Sequence, residues 1–249
     1  MRLGILQADH VDPECRPRFG DYPDMFVVAL GDALGPSASF QFFDVHRGFY
    51  PDRIADCDGY LVTGSRASVY DDEPWIARLK DFVRELNDAR AKTVGICFGH
   101  QLVAAALGGV VNRATVGWGV GVHTWEIVDD ASWMRPRLSE LRLLASHQDQ
   151  VDVLPPDARL LAASDFCPNA AFAIGNRVFA VQGHPEFTRD YARFLMCRRR
   201  EALGDAFEPG LRSLHEPTDE AVVAQWITGF LDSVGVQHEA DGRVKARDP

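Results

Sequence analysis

Along the first hundred residues, short apolar runs alternate with longer amphipathic stretches, the pattern expected of strands covered by helices. Residues 3–8 are an almost unbroken apolar run and predict a buried strand, while 24–34 carry helical spacing and stop at Gly35-Pro36. The aromatic run Ser-Phe-Gln-Phe-Phe-Asp-Val at 39–45 favours a strand. Asp58-Gly59 then introduces Tyr60-Leu61-Val62-Thr63, a short buried strand that ends at Gly64. Asp71-Asp72-Glu73-Pro74 predicts a helix start, an acidic cap with proline in the first turn, and Trp75, Leu79, Phe82, Val83 and Leu86 share one stripe behind it. Thr93-Val94-Gly95-Ile96 predicts the next strand and runs directly into Cys97-Phe98-Gly99-His100, and the alanine-rich stretch 101–107 reads as helix.

This order predicts an α/β fold whose central sheet is mostly parallel, with helices on both faces. Between 117 and 181 the apolar runs become short and are broken by Gly, Pro and Asp, as in a short antiparallel excursion. A strand at 177–182 leads into Gly183-His184-Pro185-Glu186, and helical spacing returns at 190–203 and 220–234. With no internal repeat and no low-complexity linker, 1–236 is expected to be a single domain and 237–249 a disordered polar tail.

A formal net charge of −10 excludes nucleic acid or an anionic membrane as the main partner, since both need clustered Lys and Arg. The basic run Arg198-Arg199-Arg200 lies in helical pattern and reads as a solvated or ion-pairing helix end. Five cysteines, an odd number without a C-x-x-C pair, make a poor disulfide or zinc framework. No apolar run approaches the ~20 residues of a membrane span. The expected setting is the cytoplasm, with no metal and no cofactor.

Candidate chemistry collects at two strand ends. Cys97 follows an apolar strand and opens a helix between Gly95 and Gly99, a context that lifts a nucleophile above a parallel sheet. A thiol there feels the positive end of the helix dipole, and glycine tolerates the strained backbone such an elbow requires. Beyond the late strand, His184 and Glu186 are two residues apart and point the same way, so the carboxylate can orient the imidazole as a base for Cys97. His100 and His147 read as packing residues, Trp118, Trp125 and Trp133 as core or pocket walls, and Cys15, Cys57, Cys167 and Cys197 as inert.

Gly95-Ile96-Cys97-Phe98-Gly99-His100-Gln101 and Gln182-Gly183-His184-Pro185-Glu186-Phe187 resemble the nucleophile and histidine motifs of the class I glutamine amidotransferases, whose fold is flavodoxin-like. Leu61-Val62-Thr63-Gly64-Ser65, Gly117-Trp118-Gly119-Val120-Gly121 and Ser146-His147-Gln148-Asp149 resemble further segments of that family, in the same order, as found in the glutaminase part of GMP synthetase. The resemblance implies a triad of Cys97, His184 and Glu186, an oxyanion hole from the N–H groups of Gly64 and Phe98, and a substrate grip from Arg66, Gln101, Ser146, Gln148 and Asp149. It implies hydrolysis of a small γ-glutamyl substrate through a cysteine thioester. Arg66 stands where relatives that feed a synthase carry a small residue, and Gln148 replaces a common glycine. The nucleophile and Gly-Trp segments also look like the γ-glutamyl peptidases that cut glutathione-like peptides. The activities implied are glutaminase or γ-glutamyl peptidase, with ammonia transfer requiring a separate synthase subunit. A reading of another class, a non-catalytic regulator or interaction protein that keeps the fold, is disfavoured by the intact Cys–His–Glu set.

Overall fold

The computed structural model describes residues 1–233, so the predicted tail at 237–249 and the last three positions of the predicted domain lie outside the described residues. The strands are β1 (Arg2–Leu6), β2 (Ser39–Phe43), β3 (Gly59–Val62), β4 (Lys92–Ile96), β5 (Val110–Arg113), β6 (Gly119–Ile127), β7 (Glu140–His147), β8 (Asp149–Val153), β9 (Arg159–Ala163), β10 (Ala171–Ile174) and β11 (Val178–Val181). The helices are α1 (Arg16–Phe19), α2 (Tyr22–Leu34), α3 (Pro74–Asp88), α4 (Phe98–Ala106), α5 (Arg189–Arg198), α6 (Arg200–Leu203), α7 (Phe207–Ser213) and α8 (Glu220–Asp232).

Nine strands form one sheet in the order β2-β1-β3-β4-β11-β10-β9-β6-β7, and β5 pairs with β8 in a separate ribbon. From β2 to β11 every pairing is parallel, whereas from β11 to β7 every pairing is antiparallel. The strand period of two sorts side chains between two cores. Leu3, Ile5, Leu61, Val94, Ile96, Phe179 and Val181 pack with α2 and α8. Leu6, Tyr60, Val62, Val178 and Ala180 pack with the apolar stripe of α3 and with Leu102 and Val103 of α4. The predicted helices therefore cover both faces of the sheet.

The antiparallel part is larger than a short excursion, because β10 pairs directly with β11 and extends the central sheet itself. That continuity rests on pairing between segments distant in the chain, which no strand's own sequence reveals. Smaller differences also have local causes. Glu73 caps α3 without a side-chain bond, and Asp71 instead accepts the Ser68 N–H at 2.8 Å. The start of α2 moves forward to Tyr22, where Asp21 and Asp24 exchange hydrogen bonds in a capping box. The predicted helix at 190–203 breaks at Arg199, whose φ of −105° and ψ of 12° divide α5 from α6. α7 was hidden by Pro209 and Gly210, although Pro209 sits in its first turn, where proline is tolerated. A third cluster, with Val120, Val122, Phe187, Tyr191, Met196 and Phe207, packs α5 and α7 against the antiparallel strands.

Packing leaves no room for a side chain where α4 crosses the parallel strands. A Cβ on Gly95 would stand 2.6 Å from the Gly99 carbonyl oxygen, and one on Gly99 would stand 2.9 Å from the Val62 carbonyl carbon. Backbone cannot give way like a flexible side chain, so Gly99→Ala is expected to cost about 1–3 kcal/mol. Urea unfolding of the two proteins measures it, and a Gly99→Ala protein as stable as wild type would contradict this packing.

Candidate active site

Cys97 occupies the elbow between β4 and α4 with φ 52° and ψ −104°. A non-glycine residue pays about 1–3 kcal/mol for such a conformation and keeps it only where its surroundings fix it. The expectation that Gly95 and Gly99 carry this strain does not hold, because the strained residue is Cys97 itself and the glycines provide clearance. The Cys97 N–H donates to the Val181 carbonyl at 3.0 Å, which carries the β4–β11 pairing through the elbow.

β11 continues into Gln182-Gly183-His184. The His184 N–H donates to the Leu144 carbonyl of β7 at 2.8 Å, and its ring stacks on Phe187 with centroids 3.8 Å apart. His184 Nδ1 lies 2.8 Å from Glu186 Oε1, both side chains being buried. His184 Nε2 is buried and, among the described residues, has no hydrogen-bond partner. Burial lowers the proton affinity of the ring, but the charges of Cys97 and Glu186 outweigh it and raise the imidazolium to about 10. The site thus favours a cationic ring at His184.

Beside them, the Thr63 hydroxyl accepts the Ala8 N–H at 3.0 Å and donates to the Gly64 carbonyl at 3.1 Å, fixing the chain as it leaves β3. Gly64 lies so near the imidazole that a Cβ there would be 3.1 Å from His184 Cε1. Neither the Gly64 N–H nor the Phe98 N–H has an acceptor among the described residues.

Cys97, His184, Gly64, Arg66, Gln101, Ser146, Gln148 and Asp149 all line one cavity of about 490 Å³. Several of these groups are already committed. Gln101 Nε2 donates to the Asp149 carbonyl at 2.8 Å and to Gln182 Oε1 at 3.0 Å. The Asp149 carboxylate accepts from Ser68 at 2.5 Å and from Tyr70 at 2.8 Å, and Gln148 Oε1 accepts from Arg113 at 2.7 Å. Arg66 turns to Asp9, with its N–H and Nε each 2.9 Å from Oδ2 and Nη2 3.0 Å from Oδ1. Burial pushes the Asp9 carboxyl up, but these bonds and the guanidinium charge leave it below its ordinary value.

Three contributors were not singled out from sequence. Gln182 Nε2 points at the Cys97 sulfur at 3.5 Å, and its position two residues before His184 at a strand end was the available signal. Arg113 and Arg199 also line the cavity. The reading of the basic run holds for Arg198, paired with Asp12 at 3.1 Å, and for Arg200, 3.4 Å from Glu208. It fails for Arg199, because the break between α5 and α6 turns that side chain inward to donate to Ser146 Oγ at 3.1 Å. Burial holds His100 and His147 neutral, each lowered to about 3, and Trp125 and Trp133 are core residues while Trp118 lines the cavity. Outside the cavity, His10, Asp44 and His46 bring ligand-type atoms within 4.8 Å of one another, and His10 is already bonded to Asp21 and Asp44. No helix among the described residues is long and apolar enough to cross a membrane.

Residues 44–196 match the family model described as glutamine amidotransferase class-I. γ-Glutamyl peptidase 3 of Arabidopsis thaliana is 33% identical over 76% of this chain and 78% of its own length. A glutamine-hydrolyzing GMP synthase subunit of Sulfolobus acidocaldarius is 32% identical over 54% of this chain and 70% of its own. A crystal structure of a glutamine amidotransferase from Thermotoga maritima superposes with a TM-score of 0.69, at 20% identity, over 93% of this chain and 99% of that one. At that identity the superposition speaks for the fold alone.

Two outcomes are expected from this geometry. A glutamine-analogue electrophile should modify Cys97 first, since it lines the main cavity and Cys15, Cys57, Cys167 and Cys197 do not, while burial also raises Cys57 and raises Cys167 to about 12. Peptide mapping that found the adduct on another cysteine would defeat the assignment. The second outcome concerns Asp9, whose folded value lies below the ordinary 3.8. A depressed carboxylate stabilises the fold above its unfolded value and loses that contribution as pH falls through its folded value. The stability difference between wild type and Asp9→Asn should therefore be level from about pH 5 to 8 and shrink below about pH 4. Urea titrations across that range read it, and a difference that grew in acid would refute the Arg66–Asp9 pairing.

Proposed function

The chain belongs to the class I glutamine amidotransferase family, and from that membership we propose that it is a cysteine hydrolase of γ-glutamyl amide bonds, active without a partner. One observation carries the reading: the buried His184–Glu186 pair faces Cys97 beside two N–H groups, of Gly64 and Phe98, that lack acceptors among the described residues. In the first step the Cys97 thiolate attacks the γ-carbonyl carbon, and the oxygen takes the charge. The N–H groups of Gly64 and Phe98 form the oxyanion hole, each donor contributing about 3–4 kcal/mol in comparable sites. The C–N bond then breaks, His184 gives its proton to the departing nitrogen, and an acyl thioester remains on Cys97. Water adds to the thioester while His184 takes its proton, and the glutamyl carboxylate leaves with the thiolate restored. Glu186 holds the imidazole by Nδ1, so that Nε2 faces the reaction.

Independence from a partner is supported by Arg66. Its two-pronged contact with Asp9 ties the segment after β3 to the segment after β1, so the oxyanion loop is ordered within this chain. The likeness to γ-glutamyl peptidase 3 favours γ-glutamyl peptides as substrates. The likeness to a GMP synthase subunit favours a second reading, in which ammonia passes to a separate synthase. Five free cysteines fit a reducing cytoplasm, and the continuous sheet that carries both halves of the site supports a single domain.

Purified protein should release glutamate unaided from at least one of glutamine, a γ-glutamyl dipeptide and glutathione. Silence on all three until a synthase is added would select the second reading. Cys97→Ala should abolish turnover, and Glu186→Gln should lower kcat by roughly 10⁴-fold, with His184→Ala at least as damaging. Near-wild-type turnover by His184→Ala would sink the mechanism.

A further inference from the structure

The protein carries a net charge of −10, yet three arginines, Arg66, Arg113 and Arg199, line its main cavity. Asp9 neutralises Arg66. Arg113 bonds the neutral Gln148 and Arg199 the neutral Ser146, and neither has a carboxylate partner among the described residues. The one carboxylate lining the cavity, Asp149, is engaged by two hydroxyls. Two uncompensated guanidiniums in a concave site are a demand for anionic ligand groups.

They reach the cavity from different elements. Arg113 is the register partner of Asp149 across the β5–β8 ribbon and reaches Gln148, which places it with the loop expected to hold the glutamyl amino acid end. Arg199 comes from the break between α5 and α6 and donates to Ser146. Its guanidinium carbon lies 6.0 Å from the centre of the Trp118 ring. There the main cavity meets a side hollow of about 160 Å³, and the two share Tyr22, Arg66, Leu195 and Arg199 in their walls. A glutamyl group needs one carboxylate contact, so the second guanidinium is left for the group on the far side of the scissile bond.

We propose that Arg199 forms a subsite for the carboxylate of the leaving group, so that the enzyme takes γ-glutamyl amino acids and peptides whose departing amine carries a free carboxylate. Trp118 covers the apolar part of that residue and Arg199 pairs with its end. The assignment rests on the γ-glutamyl hydrolase reading and adds the substrate class to it. Unsubstituted glutamine, whose leaving group is ammonia, leaves the subsite empty.

Steady-state hydrolysis of γ-glutamylglycine and γ-glutamylglycinamide by wild type, Arg199→Gln and Arg199→Lys tests it, with glutamine as a third substrate. Wild type should favour the free acid by roughly 10- to 100-fold in kcat/KM, mostly through KM, the range of a hydrogen bond to a charged group. Arg199→Gln should bring that ratio close to one. Arg199→Lys, which keeps the charge and loses the planar fork, should fall between. A ratio that Arg199→Gln leaves unchanged, whatever its absolute rates, overturns the subsite. Hydrolysis of both peptides by wild type without preference overturns it while the γ-glutamyl reading stands, and no hydrolysis of any of the three brings down both.

Discussion

The left-handed backbone at Cys97 is the constraint on which the site depends. An L-residue stays at φ 52° only when neighbouring backbone allows nothing else, and here Gly95 meets Gly99, Gly99 meets Val62, and the Cys97 N–H is held by Val181. Two of those contacts come from the strands on either side of β4. The elbow therefore reports the spacing of three parallel strands. β3, on one side, ends at Val62, two residues before Gly64, and β11, on the other, runs on to Gln182 and His184. The packing that holds the sulfur up is the packing that brings the imidazole and the two N–H groups to it, so loosening one contact disturbs all the others.

Where adjacent residues do the work, the sequence could be read. Cys97 at a strand–helix junction, and His184 and Glu186 two apart at a strand end, are local statements about direction, and the fold brings those three together. The parallel half of the sheet was legible for the same reason: each strand is a short unbroken apolar run and each helix has its own stripe. Gly64 and Phe98 were named only through the family resemblance of the segments at 61–65 and 95–101.

What escaped depends on contacts distant in the chain. Nothing near Arg66 announces Asp9, which lies 57 positions earlier, so the partner that braces its loop beside the cavity could not be named. Gln148 and Asp149 line the cavity, but their partners Arg113, Ser68 and Tyr70 come from other strands and turns. Arg199 was averaged into a basic run because helical periodicity assumes an unbroken helix, and only the kink between α5 and α6 separates its direction from that of Arg198 and Arg200. The antiparallel half, likewise, is held in the sheet by pairing that its strands do not encode individually.

The two silent histidines have an electrical consequence. His100 comes three residues after the nucleophile and His147 lies in the cavity wall, close enough for its titration to feel His184 and His100. Were either to carry a proton near neutrality, its charge would repel the imidazolium at His184. Full burial among Phe172 and Phe166, rather than any specific bond, keeps both rings uncharged. Three imidazoles thus crowd one small volume while only one of them stores a mobile proton. Aromatic packing serves as insulation, confining proton traffic to a single nitrogen beside the sulfur.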